Sequence, residues 1–394
     1  MGAPPNVDGG RWDPRTRLAL FYAAHFGHMG VVLPFLPLWL LSLGLDSVGI
    51  GLLVALSPLS KVLAPWTWGR LADRTGRRRG LLVASSLAAA GALSAVAGLT
   101  TLGPLVVGVG LYAFCVAPAL PFAEATALEQ ADARGFAYGR VRLWGSLSFV
   151  AVAAASGAVI GGIPGRTLLY AASAMLALGA LAAWGFPAPA SEGRLTPIGS
   201  GSAGAARSLR DPSLWRLLAA CGLMQAGHGP YYAFYSIRLE TLGYGGAAIG
   251  SLWALAVICE VLLLTRIDVG VDRLGTAAVL RLSLVAASVR WALIAIADDP
   301  LLLAAAQALH AVTYAAFHVA ALREIHRRFR TGDRATGQAL YSGLTYGLGI
   351  FCGTLGAGLL AERIGLPSLF GISAATSLAA LLVLGRPRAQ ASFA

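Results

Sequence analysis

The sequence has few charged residues and almost no lysine. Charged residues make up 12% of the 394 residues, whereas soluble domains contain about 25%. Lys61 is the only lysine, and no Asp, Glu, Lys or Arg occurs from Gly80 to Ala123. That run is long enough for two membrane spans of about 20 residues each. With 57% hydrophobic residues, the chain is predicted to be an integral membrane protein.

Several signatures of other protein classes are also missing. The four cysteines lie in apolar segments without paired spacing, which indicates packing residues rather than disulfides or metal ligands. A P-loop requires Gly-Lys, but the one lysine follows Ser60. No His-Glu-x-x-His or Cys-x-x-Cys motif is present. We therefore expect no enzyme activity, no cofactor and no metal site, and the polar N-terminus predicts no cleaved signal peptide.

The net charge of +12 is distributed as in a membrane protein rather than a nucleic-acid-binding protein. In the predicted topology, 25 arginines fall on one side, whereas Arg166, Arg238 and Arg363 fall on the other. Arg290 lies within a helix. Arginine-rich loops mark the cytoplasmic face. We therefore expect a multi-pass protein of the inner cell membrane with both termini in the cytoplasm.

The apolar segments predict an all-α protein with twelve transmembrane helices. A segment rich in Gly, Ser, Ala and Pro divides them into two sets of six and predicts a flexible linker. The expected domains are an N-terminal bundle (1–186), a cytoplasmic linker (187–212) and a C-terminal bundle (213–394). The helices are predicted at roughly 16–43, 47–70, 80–100, 104–130, 138–161, 166–186, 213–241, 246–268, 276–297, 300–328, 335–362 and 367–386.

The two halves repeat each other at an offset of 199 residues. Gly44 and Gly51, each preceded by an apolar residue, recur as Gly243 and Gly250, and the Asp-Arg pair at 73 recurs at 272. Because each half has six helices, the repeats are parallel, related by an axis along the membrane normal. Transporters built this way place the substrate near the midplane between the halves.

The loop after helix 2 carries the first family motif. It reads Gly-Arg-Leu-Ala-Asp-Arg-Thr-Gly-Arg-Arg-Arg from position 69 and resembles the Gly-x-x-x-Asp-Arg-x-Gly-Arg loop of the major facilitator superfamily. The glycine at 76 permits a tight turn, and the aspartate can act at a helix end or pair with arginine. The resemblance implies a loop that clasps the cytoplasmic helix ends and favours the outward-facing state; the alternative is a basic loop that serves topology alone. Its gating residues would be Gly69, Asp73, Arg74, Gly76 and Arg77.

The hairpin of helices 4 and 5 carries two charges. Glu124 lies nine residues before the polar apex near Ala133 and Arg142 lies nine after it, so both are expected at one depth, about 13 Å in at 1.5 Å per residue. There the two groups can neutralise each other, unless a kink in helix 4 at Pro118 and Pro121 shifts Glu124. Charges inside a membrane indicate a functional site.

This hairpin resembles that of the lactose-permease and phenylpropionate-permease group of proton symporters. The shared residues are Glu124 and the run from Tyr138 to Ser146. Helices 7 to 10 most resemble the 3-phenylpropionate permease branch, with Gln225, Gly227, His228, Tyr231, Tyr232, Glu260, Arg290, Trp291, His310 and His318. The resemblance implies that Glu124 and Arg142 hold substrate, and we expect Glu124 either to release Arg142 or to take the proton. It also implies a proton site at Glu260, Arg290 and His310, although the second carboxylate that helix 10 carries in that group is missing here.

Other polar residues allow two interpretations each. Lys61 and Glu260 are 199 residues apart and therefore at matching depth, either across a binding cavity or in a structural ion pair. The Gly-His-Gly-Pro run at His228 is expected to interrupt helix 7 and line a cavity. Tyr231 and Tyr232 either stack an aromatic substrate or pack the interior. His318, on the His310 face, either relays a proton or is a hydrogen-bonded interior residue.

These features predict a proton-coupled secondary transporter that imports a small organic solute by alternating access. The charges within the membrane are three positive (Lys61, Arg142 and Arg290) and two negative (Glu124 and Glu260). The one surplus positive charge suits an aromatic or other organic monocarboxylate. Protons, the solute and the lipid bilayer are the expected partners of a monomer. The alternatives are a sugar or nucleoside symporter, a drug efflux antiporter, and a non-transporting sensor or assembly factor on the same scaffold.

Overall fold

A computed structural model describes residues 13–187 and 203–385. All regular structure in these residues is helical, and twelve long helices follow the predicted order. Helices 4, 10 and 11 are each built from consecutive segments, and short helices at Ala203–Leu209, Ile267–Leu274 and Thr331–Asp333 lie between the long ones. The bounds of helices 1 to 6 are Pro14–Ser42, Ser47–Thr75, Arg78–Val96, Leu102–Val116 with Ala119–Arg134, Tyr138–Val159 and Gly165–Trp184. The bounds of helices 7 to 12 are Pro212–Thr241, Gly246–Leu264, Thr276–Ile296, Pro300–Ala308 with Ala311–Ala316 and Phe317–Arg328, Arg334–Tyr341 with Ser342–Gly349 and Ile350–Ile364, and Leu366–Leu384.

Eleven of these helices are long and apolar enough to cross a membrane. The twelfth is helix 7, which has 30 residues but carries more polar side chains, among them Gln225, His228 and Arg238. It packs against helices 1, 11 and 12, and these three polar side chains are buried. The polar groups of helix 7 therefore contact protein, as membrane helices require.

The structure repeats itself at the offset found in the sequence. Gly44 and Gly243 end helices 1 and 7 with φ angles of 78° and 85°, and Gly76 and Gly275 follow with 63° and 80°. Helix 1 packs on helices 5 and 6 as helix 7 packs on helices 11 and 12. Both halves thus have positive-φ glycines at matching positions and the same packing order, which confirms the two parallel repeats.

Helix 4 has the break at Pro118 that the sequence left open. The helix is interrupted between Val116 and Ala119, next to Pro118. Proline has no N–H for the carbonyl four residues earlier, which is that of Phe114, and the indole N–H of Trp68 donates to this carbonyl instead at 3.0 Å. A side chain of helix 2 thereby satisfies the backbone group freed by the kink.

The predicted interruption of helix 7 is wrong. Helix 7 runs unbroken through Pro230, whose missing N–H leaves the carbonyl of Ala226 without its helical donor. Helix 11 lies so close to this carbonyl that a side chain at Gly353 would overlap it. Close packing of helix 11 therefore covers the carbonyl that Pro230 leaves without a donor.

The halves touch on one side of the molecule. Gly51 of helix 2 faces Gly358 of helix 11, and Gly157 of helix 5 faces Gly246 of helix 8, each pair so close that a Cβ atom would overlap the opposite backbone. All four glycines lie at the ends farthest from the start of helix 1. We call this the far side and the opposite one the terminal side.

On the terminal side the same helices separate. A Cβ atom at Gly69, Gly139 or Gly343, on helices 2, 5 and 11, would meet no atom within 4 Å. Lys61 is exposed although it lies in the middle of helix 2. The halves are therefore in close contact on the far side and separated on the terminal side, and we call the space between them there the central cavity.

Candidate transport site

Arg142 lies against an aromatic surface of helix 1. Its guanidinium carbon is 3.8 Å from the ring centroid of Phe26 and 5.6 Å from that of Tyr22. A Cβ atom at Gly145, one turn later on helix 5, would come within 2.7 Å of the Phe26 ring and 3.2 Å of the guanidinium. The absence of a side chain at 145 therefore gives Arg142 and Phe26 the space to stack, which is a favourable cation–π arrangement.

Glu124 does not form an ion pair with Arg142. Its Oε1 accepts a hydrogen bond from the hydroxyl of Tyr138 at 3.3 Å, and the Tyr138 ring meets the edge of Tyr22 at 6.4 Å. The expected direct neutralisation is therefore absent in this state. Both charges instead lie in one aromatic cluster formed by helices 1, 4 and 5, where each remains available to a ligand.

Glu260 pairs with His310 in the C-terminal half. Oε2 of Glu260 lies 3.6 Å from Nε2 of His310, and the two side chains are 23% and 8% exposed. Lys61 has no hydrogen bond or ion pair within the part of the chain that the structure describes, so it does not pair with Glu260 in this state.

Arg290 lies beside this pair and is fully buried. Within residues 13–187 and 203–385 it has no carboxylate within ion-pair distance. Oxygen acceptors and aromatic faces surround it instead, which compensates a buried guanidinium without a counter-ion. The acceptors are the carbonyl of Ala306 (3.1 Å), Thr313 Oγ1 (3.3 Å) and Gln307 Oε1 (3.4 Å), and the rings are Tyr231 (4.5 Å) and Trp291 (4.3 Å).

The helix 7 residues divide between interior and cavity. His228 donates from Nδ1 to the carbonyl of Met224 at 2.9 Å and is fully buried. Tyr231 is 1% exposed and donates its hydroxyl proton to Gln307 at 3.2 Å, so it packs the interior. Tyr232 is half-buried and is the one of these three that reaches the cavity.

His318 contacts helix 11. Its Nδ1 lies 2.9 Å from the hydroxyl of Tyr346 and 3.3 Å from that of Tyr341. Tyr314 lies between the two histidines, with its ring stacked on His310 at 5.2 Å. A row of histidine and tyrosine side chains thus runs from Glu260 along helices 10 and 11 toward the terminal side.

The loop after helix 2 has the predicted turn but different contacts. Gly76 adopts φ 63° and ends helix 2. Among the described residues, Asp73, Arg74 and Arg77 form no side-chain ion pair. Arg78 instead pairs with Glu129 of helix 4 at 2.7 Å, and Arg79 donates to the carbonyl of Phe186 at 2.9 Å. The gating role of this loop, including Gly69, stays a prediction.

Sequence reasoning missed the aromatic and small residues that position the charges. Tyr22 and Phe26 are four residues apart and so share a helix face, a signal that was available. No such signal was available for the hydroxyl partners of His318 and Arg290, because the π-helical segments Ala311–Ala316 and Ser342–Gly349 set the direction in which those side chains point. Roles were missed for Tyr22, Phe26, Gln307, Thr313, Tyr341 and Tyr346, and for Tyr138 and Gly145 within the shared run.

A family model described as the MFS_1 like family matches residues 15–372. The chain belongs to this family of major facilitator transporters. It is 30% identical over 376 residues to the probable 3-phenylpropionic acid transporter of Escherichia coli (strain K12), covering 94% of this chain and 97% of that one. It is 28% identical over 383 residues to the maltose permease of Geobacillus stearothermophilus, covering 94% and 93%.

Solved structures share the fold. The crystal structure of the nucleoside transporter NupG matches with a TM-score of 0.84 at 18% identity, covering 95% of this chain and 100% of that one. A bacterial homolog of the lysosomal transporter Spinster matches with a TM-score of 0.69 at 15% identity, covering 95% of each. The protein is therefore a multi-pass membrane transporter with the major facilitator fold, and not an enzyme. The resemblance to the 3-phenylpropionate permease branch is confirmed.

Proposed function

We propose that this transporter imports a small organic monocarboxylate, preferably an aromatic one, together with a proton. The observation that carries the proposal is Arg142. Its guanidinium is stacked on Phe26 and has no carboxylate within 4 Å among the described residues, and we place it across the cavity from the Glu260–His310 pair. An intramembrane cation without a counter-ion is a natural binding point for a carboxylate.

The charge balance of the cavity fits one anion. Three of the groups are positive (Lys61, Arg142 and Arg290) and two are negative (Glu124 and Glu260). A single bound carboxylate therefore brings the total charge of the five groups and the solute to zero. Phe26 covers one face of the Arg142 guanidinium, leaving its edges for two parallel N–H···O bonds. The aromatic part of the solute would lie against the half-buried rings of Tyr232 and Tyr314.

Protons would be carried by the two carboxylates. Glu260 with His310 forms one site, and Glu124 with Tyr138 forms the other. Protonation of Glu260 removes its attraction to Arg142, which strengthens the pull of Arg142 on the solute. This reciprocal effect couples the two binding events, because any two ligands whose interactions with the protein depend on each other shift each other's affinity equally.

The orientation follows the arginine distribution. We place the terminal side in the cytoplasm, so that the open cavity faces inward and the far side, closed by glycines, faces outward. In this arrangement the protein lies in the inner membrane as a monomer with its bundles at 1–186 and 213–394 and a cytoplasmic linker at 187–212. The name of the E. coli relative, a probable 3-phenylpropionic acid transporter, supports the solute class.

A sugar or nucleoside symporter is the second candidate. The names of the maltose permease and of NupG favour it. Such solutes carry no charge, so their binding would depend on neutral hydrogen-bonding side chains more than on Arg142. Competition with maltose and with nucleosides in the assay below separates this candidate from the first.

The test is uptake of radiolabelled 3-phenylpropionate into proteoliposomes with an imposed proton gradient, with and without a protonophore. Protein-free liposomes are the necessary control, because the undissociated acid crosses lipid on its own. We expect protein-dependent uptake that the protonophore abolishes and that maltose does not inhibit. Protein-dependent uptake that persists after collapse of the gradient would remove the symport claim.

A further inference from the structure

A pocket on the terminal side lies between the first turns of helices 1 and 5. Its volume is about 340 Å³, and it is lined by Arg15 of helix 1, by Arg140 of helix 5 and by Phe136 of the connection between helices 4 and 5, among others. Small-molecule sites in proteins have volumes of about 300–1,000 Å³ and contain a few polar groups among apolar ones. We call this the Arg15–Arg140 pocket, and its size suits a small organic solute.

The pocket contains the same kind of side-chain pair as the Arg142 site. The guanidinium carbon of Arg15 lies 5.1 Å from the ring centroid of Phe136. That of Arg142 lies 3.8 Å from the ring centroid of Phe26. A ring covers one face of a guanidinium and leaves its N–H groups for an anion. Each pair therefore presents a cation beside an aromatic surface, which suits a carboxylate that carries an aromatic group.

The positive charge of the pocket is only partly compensated. Arg140 forms no side-chain hydrogen bond or ion pair within residues 13–187 and 203–385. Arg15 has the carboxylate of Asp13 at 4.0 Å, but these side chains are 52% and 53% exposed, and such a pair contributes little. Both arginines lie in the first turn of a helix, where the helix dipole disfavours a cation. This unfavourable placement favours a role in binding an anion over a purely structural one.

The helix bounds place the pocket on the terminal side of Arg142. Helix 5 begins on the terminal side at Tyr138, and Arg140 precedes Arg142 by two residues, about 3 Å at 1.5 Å per residue. On helix 1, Arg15 precedes Tyr22 by seven residues, about 10 Å. Seven residues are close to two turns, so Arg15 lies on the helix face that carries Tyr22, a contact of Arg142. The pocket therefore follows Arg142 along the boundary between helices 1 and 5.

We propose that the Arg15–Arg140 pocket is a second binding site for the transported monocarboxylate, occupied when the solute leaves Arg142 toward the terminal side. The inference rests on the proposed function. The carboxylate accepts hydrogen bonds from the two guanidinium groups, and the aromatic part lies against Phe136. Arg15 and Arg140 are exposed whereas Arg142 is half-buried, so the second site should bind about tenfold more weakly. The solute thus passes from a strong site to a weaker one before release.

The test is the amount of labelled 3-phenylpropionate that the purified protein binds at equilibrium dialysis. We expect about two molecules per wild-type protein at saturation, with affinities about tenfold apart. The double variant Arg15→Gln, Arg140→Gln should keep the stronger site alone, and Arg142→Gln should keep the weaker one. Arg140→Lys, which retains the charge but not the planar fork, should weaken the second site less than Arg140→Gln. Because Arg15 and Arg140 are exposed, substitutions there should not unfold the protein.

The matched control is Arg216→Gln. Arg216 is exposed near the terminal-side end of helix 7 and forms no side-chain hydrogen bond or ion pair in the described chain, so both sites should be unchanged. Loss of the second site in this variant would overturn the proposal, and so would a single site in the wild-type protein. Equimolar inorganic phosphate or phosphatidylglycerol that displaced the second molecule would also overturn it, and would assign the pocket to free phosphate or to a lipid headgroup. Failure of the wild-type protein to bind any carboxylate would overturn the proposed function itself, whereas a single site would overturn this inference alone.

Discussion

Glu362 of helix 11 accepts a hydrogen bond from the backbone N–H of Ser47, 315 residues earlier at the start of helix 2, with 3.0 Å between the two atoms. Within residues 13–187 and 203–385 it is the one direct hydrogen bond or ion pair that joins the two halves. The carboxylate also meets the positive end of the helix 2 dipole. One polar contact and close glycine packing therefore hold the far side shut.

Replacing Glu362 should shift the molecule toward the state that is open on the far side. A carboxylate at an exposed helix N-terminus contributes about 0.3–1 kcal/mol. Glu362→Ala should therefore raise the ratio of far-side-open to far-side-closed molecules about two- to fivefold, and Glu362→Gln, which keeps an acceptor, should raise it less. Electron–electron resonance distances between spin labels at the far ends of helices 5 and 8 measure this ratio. Identical distance distributions in the alanine variant would contradict the role given to Glu362.

Side chains at the far-side glycines should prevent closure. The space at Gly157 and Gly250 is occupied by the backbone of the opposite half, so valine at either position forces the helices apart. Overpacking costs about 1–3 kcal/mol, enough to make the far-side-open state dominate in the same resonance measurement and to slow uptake about tenfold or more. Gly103→Val is the matched control, since a side chain there meets no atom within 4 Å. Comparable effects of Gly157→Val, Gly250→Val and Gly103→Val would show that the measurement reports general destabilisation and not closure of the far side.

Gly145→Ala should weaken solute binding without unfolding the protein. The added methyl group lies within 2.7 Å of the Phe26 ring, so the ring and the Arg142 guanidinium must separate. We expect about a tenfold loss of affinity for 3-phenylpropionate, since forced displacement in a packed site costs about 1–3 kcal/mol. Isothermal titration calorimetry of the purified protein measures the affinity. The control is Gly139→Ala, also on helix 5 but facing open space, and equal losses in both variants would contradict the stacking argument.

The loop after helix 2 should stabilise the N-terminal half through Arg78 rather than Arg77. Arg78 is buried and paired with Glu129, whereas Arg77 makes no side-chain contact of this kind in the described chain. Loss of a paired, partly buried charged side chain lowers the free energy of unfolding by about 1–3 kcal/mol, whereas a substitution at an exposed position changes it by about 0.5 kcal/mol or less. Arg78→Ala should therefore lower the melting temperature in detergent clearly more than Arg77→Ala. The double variant lacking Glu129 as well should recover part of the loss, and a lower melting temperature for Arg77→Ala would refute the assignment.

The fold was predictable because it depends on features that a sequence displays directly. Helix number follows from apolar length, and the parallel repeat follows from Gly44 with Gly243 and Gly76 with Gly275, all of which have a positive φ in the structure. The kink at Pro118 follows from the missing N–H of proline. The same reasoning failed at Pro230, because helix 11 compensates there through tertiary packing that leaves no local mark on helix 7.

The site was predictable only in its charges. Glu124, Arg142, Glu260 and His310 stand out because ionisable residues are rare in membrane helices. Their partners depend on which side chains the packing brings near, and that is decided by residues of ordinary appearance. Gly145 makes room for the stacking of Arg142, and no pattern in the sequence distinguishes it from the neighbouring Gly139.

The central claim is that a proton enters with each carboxylate through Glu260, and the most direct measurement is the pH change that solute entry causes. Unlabelled 3-phenylpropionate is added to weakly buffered proteoliposomes that carry a pH-sensitive dye, with protein-free liposomes and the Glu260→Gln variant measured in parallel. The account predicts external alkalinisation by the wild-type protein beyond the protein-free rate, and none beyond that rate in Glu260→Gln, which should still exchange labelled solute across the membrane. Solute uptake by the wild-type protein without excess alkalinisation, or equal alkalinisation by the variant, would contradict it.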